Sequence, residues 1–421
     1  MDLQQQLADL RQRIRSIDRK YEAPASPPPR PGPILEEFVN GRAVETGAGS
    51  HFEAEHFYPR HQRHGCSDIS ALAELPAERL GPISGDTIRA TEPARWAFLD
   101  TETTGLGGGS GTCAFLVGVG RITADGFRVR QFFMRDHGEE PSVLEALSAH
   151  LGQFDVLITY NGLAFDQPLL ETRYRLNRRK PPFGSLAHLD LLHGARRLWR
   201  LRLDSCRLVD LESQILGYER EGDIAGAMIP YVYFEYLRTR QAFRIVPVFR
   251  HNALDILTLA CLTDIVSRAF QSPEGVELAH GAELVGMGRW LMRAGRPEAS
   301  LDLLRRAVDR GLPDALLFRT LWDVGLLEKR LGNESAAIAV FTDLAAVPGP
   351  HRAAALEELA KHYEHGAKDY RRAAELTETA LGIRDSAGLE LRLARLERLA
   401  RRARPPARAR KRAATVKPSV P

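Results

Sequence analysis

Apolar positions along the chain fall into three regimes. Near the start, Leu3, Leu7, Leu10 and Ile14 recur at spacings of three and four, which predicts an amphipathic helix over 2–22. The stretch APASPPPRPGP (23–33) follows, and its prolines make it an extended linker. GRAVETGAGSHFEAEHFYP (41–59) predicts two strands around the Gly-Ala-Gly-Ser turn. From Trp96 the apolar runs become short and β-rich: WAFL (96–99), TCAFLVGVGRI (112–122) and FRVRQFFM (127–134). Gly or Asp-Gly turns separate them, so antiparallel neighbours are expected. Then helices and strands alternate. Helices are predicted over 141–151, 165–176, 208–217 (ended by Gly217) and 251–270, and strands over 155–160 and 185–192. The pattern over 94–270 is that of an α/β domain, a mixed sheet with three antiparallel strands first and then alternating helices and strands.

Residues 281–400 change character, becoming Ala-, Leu- and Arg-rich with few β signals. Segments 294–308, 331–345 and 367–381 superpose with Ser300, Ala337 and Ala373 in register, at intervals of 37 and 36 residues. This resembles the tetratricopeptide helical-hairpin repeat, and an unrelated helical bundle fits the same stretch. Five segments result: a helix and linker (1–33), an extension with strands (34–93), the α/β domain (94–270), the helical domain (281–400) and a tail (401–421).

Length and composition narrow the class. A chain of 421 residues, 44% hydrophobic and 27% charged, can bury two or three cores. No apolar run approaches the roughly 18 residues of a membrane helix, and the polar start has no secretory h-region. Cys66, Cys113, Cys206 and Cys261 are far apart and lack C-x-x-C spacing, which fits a reducing, cytoplasmic setting. The net charge is +4, yet the last 21 residues carry eight Lys/Arg and no acid. That tail reads equally as a nucleic-acid arm or as a solubilising segment.

The candidate chemistry lies in three places. WAFLDTETTGL (96–106) runs an apolar strand into a polar turn, and the period of two puts Asp100 and Glu102 on one face. Adjacent carboxylates repel, and a divalent cation with a preference for oxygen ligands relieves that repulsion. ITYNGLAFDQPLL (158–170) ends a strand at Tyr160, turns at Asn161-Gly162 and starts a helix at Asp166, where capping alone would also favour an acid. HNALD (251–255) puts His251 and Asp255 on one helical face, which is also what a surface hydrogen bond would need. His51, His56, His61, His64 and Cys66 crowd one region, but their spacing matches no metal motif and suits surface loops.

Taken together, these motifs resemble the DEDD superfamily of 3′→5′ exonucleases, which have a ribonuclease-H-like fold. DTETTGL matches the first motif, Asp166 in N-G-x-x-F-D the second and Asp255 the third, over roughly residues 94–270. The YNG-x-x-FD, HLDLL (188–192) and HN-x-x-D segments are most similar to the bacterial YprB-type domain. The resemblance implies a fold of that kind and two Mg2+ or Mn2+ ions held by Asp100, Glu102, Asp166 and Asp255. It also implies His251 as general base, and contacts from Thr103, Thr104, Gly105, Leu106 and Asn161 to the terminal nucleotide. Asp190 is expected to be structural, and Tyr160 a core residue. One departure stands out: His251 precedes the last aspartate by four residues, the spacing that the superfamily uses for tyrosine. The expected function is a metal-dependent 3′→5′ exonuclease acting on DNA or RNA. A structure-specific endonuclease, or a non-catalytic module binding nucleic acid or a protein partner through its helical repeats, would share these features.

Overall fold

The computed structural model describes residues 35–105, 111–273, 275 and 278–402. The predicted N-terminal helix and linker, Leu106, and the tail from 403 onward lie outside the described residues. The chain divides into two compact units, one of residues up to Leu191 with Leu211–Asp264, the other of Leu192–Asp210 with residues from Ile265 onward.

The first unit is built on a seven-stranded mixed sheet. Its strands are β1 (Gly41–Thr46), β2 (Gly49–Pro59), β3 (Trp96–Thr103), β4 (Ala114–Thr123), β5 (Gly126–Phe133), β6 (Val156–Thr159) and β7 (Ala187–Asp190). Their order is β1-β2-β5-β4-β3-β6-β7. The first five pair antiparallel, with tight turns joining β1 to β2 and β4 to β5, and β6 and β7 join parallel to β3. The three antiparallel strands read from the sequence are therefore the middle of the sheet. The strands of segment 34–93 extend that same sheet, because Phe52–Pro59 of β2 pairs along β5. A register between strands some seventy residues apart leaves no local trace in sequence.

Besides the single turns Ser70–Ala73 and Gly81–Ser84, the helices of this part of the chain are α1 (Glu140–Leu151), α2 (Asp166–Leu176), α3 (Leu191–Trp199), α4 (Ile229–Thr239) and α5 (Ala242–Gln271). Most of α3 and the end of α5 belong to the second unit. The strand expected over 185–192 is only four residues long, and Leu191 already starts a helix. The segment 208–217 is one α-helical turn, Leu208–Leu211, followed by a π turn, Glu212–Leu216, and ends at Gly217 with φ +66°. Helix α5 begins nine residues before its expected start and contains Pro247. That ring removes one backbone hydrogen bond early in a helix whose buried face includes Ile245, Val248, Phe249, Ala253 and Ile256. Burial of that face outweighs the local penalty of roughly 3 kcal/mol.

The second unit continues as seven helices among the described residues: α6 (Gly281–Arg293), α7 (Pro297–Asp309), α8 (Asp314–Arg330), α9 (Glu334–Ala346), α10 (Arg352–His365), α11 (Tyr370–Leu381) and α12 (Ala387–Arg402). Ser300, Ala337 and Ala373, the three positions in register, are all buried, one each in α7, α9 and α11. Close helix approach explains part of the pattern. A Cβ on Gly288 would meet the Leu304 side chain at 2.8 Å, and one on Gly325 would meet the Phe341 ring at 2.6 Å.

One buried group in the first unit carries a pH dependence. His150, in the last turn of α1, sits between the Phe132 and Phe154 rings with centroids 5.6 and 5.3 Å away, and neither ring nitrogen has a hydrogen-bond partner. Burial, helped by Arg130 and Arg121, lowers its pKa to about 4. The unfolded chain takes up this proton near pH 6.5 and the native chain only near 4. The native state therefore gains stability above pH 6.5 that is lost as pH falls toward 4, a loss on the order of 3 kcal/mol. Urea unfolding at pH 7 and pH 4.5 should show a markedly smaller drop for His150→Phe than for the parent; equal drops would refute this assignment.

Candidate active site

The site forms where β3 ends. Its apolar start, Trp96 to Leu99, is buried in the sheet, and the polar end carries Asp100 and Glu102 out on one face. A register shift against β4 falls between Glu102 and Thr103 and breaks the regular pairing as the strand enters its turn. The turn is closed locally. Thr103 Oγ1 donates to the Gly105 carbonyl at 3.0 Å, and Thr104 and Cys113 exchange two hydrogen bonds at 3.0 Å.

Two neighbouring elements bring the other acids. Asp166 is the first residue of α2, and the Thr101 hydroxyl donates to its Oδ1 at 2.5 Å. Before it, Asn161 takes φ +67°, and its backbone N–H and that of Leu163 both donate to Asp190, at 2.8 and 3.2 Å. Asp190 is thus a structural anchor for the turn, as expected. Tyr160 is half-buried at the end of β6. The third motif arrives on α5, which crosses β4 at a pair of glycines. A Cβ on Gly118 would lie 2.2 Å from Asn252 Oδ1, and one on Gly120 would lie 2.5 Å from Ile256. This close crossing lets Asn252 Nδ2 reach Asp100 Oδ2 at 2.8 Å, while Gln131 Nε2 donates to Asn252 Oδ1 at 2.8 Å. Asn252 and Gln131 are fully buried, so this amide relay is fixed by packing.

The four carboxylates act on one another. Burial pushes the Asp100 carboxyl well up from its ordinary value, and Asp255 and Asp166 push it further. Burial does the same to Glu102, with added repulsion from Asp100, Asp255, Asp166 and Asp223. Burial raises Asp166 to about 6 against the Thr101 hydrogen bond. The influence of Asp166 and Asp255 on Asp100 and Glu102 joins the three motifs in one electrostatic cluster.

A buried cation partly offsets the charge. Arg220 is only 4% exposed and contacts three acids: Glu212 Oε2 at 2.5 Å, Asp255 Oδ1 at 2.5 Å and Asp223 Oδ2 at 3.1 Å. Glu212, presented by the π turn, also accepts from Thr258 and pairs with His64 at 3.0 Å. His251 Nδ1 meets Asp223 Oδ2 at 2.8 Å, and its Nε2 lies 3.6 Å from Asp255 Oδ2. The four-residue spacing noted in the sequence therefore puts the imidazole against the last aspartate. With Nδ1–H directed at Asp223, Nε2 is left as the basic nitrogen.

Among the described residues, no group of three or more His, Cys, Asp or Glu is arranged to enclose an ion. Protein donors occupy several of the oxygens instead: Asn252 on Asp100, Thr101 on Asp166 and Arg220 on Asp255. The donor set still suits Mg2+ or Mn2+ by its chemistry, since it is made of hard oxygens whose crowded charge a divalent ion would relieve. The histidine-rich region does not converge. His51 binds Ser142 and Glu53, His64 binds Glu212 and Thr258, and both are buried rather than in surface loops. Four contributors escaped sequence reasoning: Arg220, Asp223, Glu212 and Gln131. Each lies outside the three motifs. The turn signal at Gly217 and Gly222, which brackets Arg220, is the one local hint.

A family model described as the RNase H superfamily matches residues 97–267. "Uncharacterized protein YprB" of Bacillus subtilis (strain 168) is 32% identical over 353 residues, which span 81% of this chain and 84% of that protein. With the mixed sheet and the order of its motifs, these matches show that the chain belongs to the RNase H superfamily, as a YprB-like member.

Proposed function

We propose that the chain is a metal-dependent 3′→5′ exonuclease that hydrolyses phosphodiester bonds of DNA or RNA. Its superfamily implies nucleic-acid binding and a nuclease-type activity, and RNase H-like nucleases generally use divalent ions. The observation that carries the finer reading is the meeting of Asp100, Glu102, Asp166 and Asp255 from β3, α2 and α5 in one cluster, in which burial and then Asp255 and Asp166 push the Asp100 carboxyl up, and burial and then Asp100, Asp255 and Asp166 push Glu102 up.

In this reading those four carboxylates hold two Mg2+ or Mn2+ ions. Bound divalent ions supply charge neutralisation at the phosphate and an acidified water. The chain's own residues do the rest. His251 Nε2 accepts the proton of the attacking water, and Asp223 on Nδ1 holds the ring in the tautomer that permits it. Arg220 fixes one oxygen of Asp255 and leaves the other toward the site. Asn252 orients Asp100 through the Gln131 relay. The Thr103–Gly105 turn and Asn161 would flank the terminal nucleotide, and the resemblance adds Leu106, which lies outside the described residues.

Two outcomes test this reading. Asp100→Ala should abolish Mn2+-dependent hydrolysis of end-labelled single-stranded DNA and RNA with an unchanged circular dichroism spectrum. A stepwise ladder of products from the 3′ end is expected from the parent; internal cuts would replace the exonuclease with an endonuclease, and full activity in the variant would remove the assignment. Arg220→Met should cost about 3–5 kcal/mol of unfolding free energy, because three acids lose a buried partner. Added Mn2+ should restore part of that loss by neutralising the same groups. A urea midpoint that stays at the parent's value would show that Arg220 does not hold the cluster.

A further inference from the structure

Helix α4 has two apolar sides. Ile229, Tyr233 and Tyr236 form the buried one, where Tyr233 stacks on Phe115 with centroids 3.9 Å apart and donates its hydroxyl to the Met134 carbonyl. A helix packed on one side ordinarily turns polar residues outward. Here Met228, Tyr231 and Phe234, at intervals of three, are 49%, 46% and 48% exposed, and Arg238 continues the stripe one turn on. Phe243, with Arg244 over its ring, adds another exposed aromatic just beyond. Four of the thirteen exposed large hydrophobic side chains among the described residues thus fall within sixteen residues, which marks the patch as a contact surface.

Three features select the partner. Of the three Arg in residues 226–244, Arg240 pairs with Asp136 and Arg244 with Glu235, which leaves Arg238 as the exposed cation of the stripe, suited to an anionic group. Glu235 is engaged mainly by Arg244 at 2.8 Å and lies 3.9 Å from Arg238, whose side chain is 72% exposed. The helix that carries the patch is also tied to the carboxylate cluster by chain connection and by packing. Asp223, bonded to His251, is three residues before the turn that opens into α4, and α4 packs on β3, the strand of Asp100 and Glu102. Finally, Tyr231 and Phe234 are offset by about 4.5 Å along the helix axis. That exceeds the roughly 3.4 Å step between stacked bases by about a third, so the two rings suit the splayed bases of a single strand.

We propose that this outer face of α4 is a stacking platform for single-stranded nucleic acid leading to the carboxylate cluster. Tyr231 and Phe234 each take a base, and Arg238 takes a phosphate. The proposal rests on the nuclease reading, and the test separates the two.

The test is fluorescence anisotropy of the full chain with labelled oligothymidylate and oligouridylate, in Ca2+ to suppress cleavage, over a range of salt. Tyr231→Ser with Phe234→Ser should weaken binding at least about tenfold with an unchanged salt slope, since no charge is removed. Phe234→Trp should bind as tightly as the parent. Arg238→Ala should lower the magnitude of the log–log salt slope by about 0.7, one single-strand phosphate contact. Equal loss on both oligonucleotides indicates stacking blind to the sugar, and loss on one alone identifies which strand the platform serves. If the double variant binds like the parent while the parent degrades DNA or RNA in Mn2+, the platform is refuted and the nuclease reading stands. A parent that neither binds nor degrades either polymer refutes both. A parent self-association lost in the double variant, with oligonucleotide affinity unchanged, would assign the face to a second copy of the chain and overturn the proposal.

Discussion

The first unit is governed by repulsion among carboxylates. Asp100, Glu102, Asp166 and Asp255 are drawn together from three elements, and Asp255 and Asp166 make ionisation of both Asp100 and Glu102 harder. Such crowding is unfavourable unless positive charge is placed among the acids. Arg220 is the permanent part of that charge, and it reaches only Asp255 of the four. Asp100 and Asp166 receive single neutral donors, Asn252 and Thr101. The unit has therefore stabilised one edge of the cluster with a buried guanidinium and left the centre electrostatically unfinished. That balance is what the proposed nuclease reading requires, because a centre already neutralised by the protein would have little attraction left for a divalent ion.

The same constraint accounts for the network behind the acids. Arg220 could not stay buried with Asp255 alone, and Glu212 and Asp223 complete its coordination. Glu212 in turn is anchored by His64 and Thr258. Its own carboxyl is held below the usual range by these partners and Arg220, although burial alone would raise it. A line of hydrogen bonds thus runs from the small hairpin at His64, through the π turn, to the last motif on α5. Local irregularities along this path have a common purpose: the π turn and the left-handed Gly217 and Gly222 aim side chains that regular helix would turn elsewhere.

The central strands and the acids that cluster at the end of β3 were legible because local periodicity and short motifs determine them. The order D-x-E, then N-G-x-x-F-D, then H-N-x-x-D marks the three elements that meet at the site. What escaped was non-local or locally ambiguous. The pairing of β2 with β5 depends on a register that neither strand specifies alone. Pro247 hid the first turns of α5, and the buried and exposed apolar sides of α4 blurred its helical period. Arg220 and Asp223 lie in a polar, glycine-punctuated loop that reads as solvent-facing. Only the folded chain reveals that Arg220 is enclosed by acids.

Gly118 gives β4 an influence that its inert side chains conceal. The strand contributes no reacting atom, yet the missing carbon at this position is what allows an amide from another element to settle against the first aspartate. Inheritance of the chemistry is thus tied to a residue defined by absence. A survey of variants confined to charged or polar positions would pass over it, and a methyl group gained there would displace the Asn252 amide from Asp100 with every acidic residue intact.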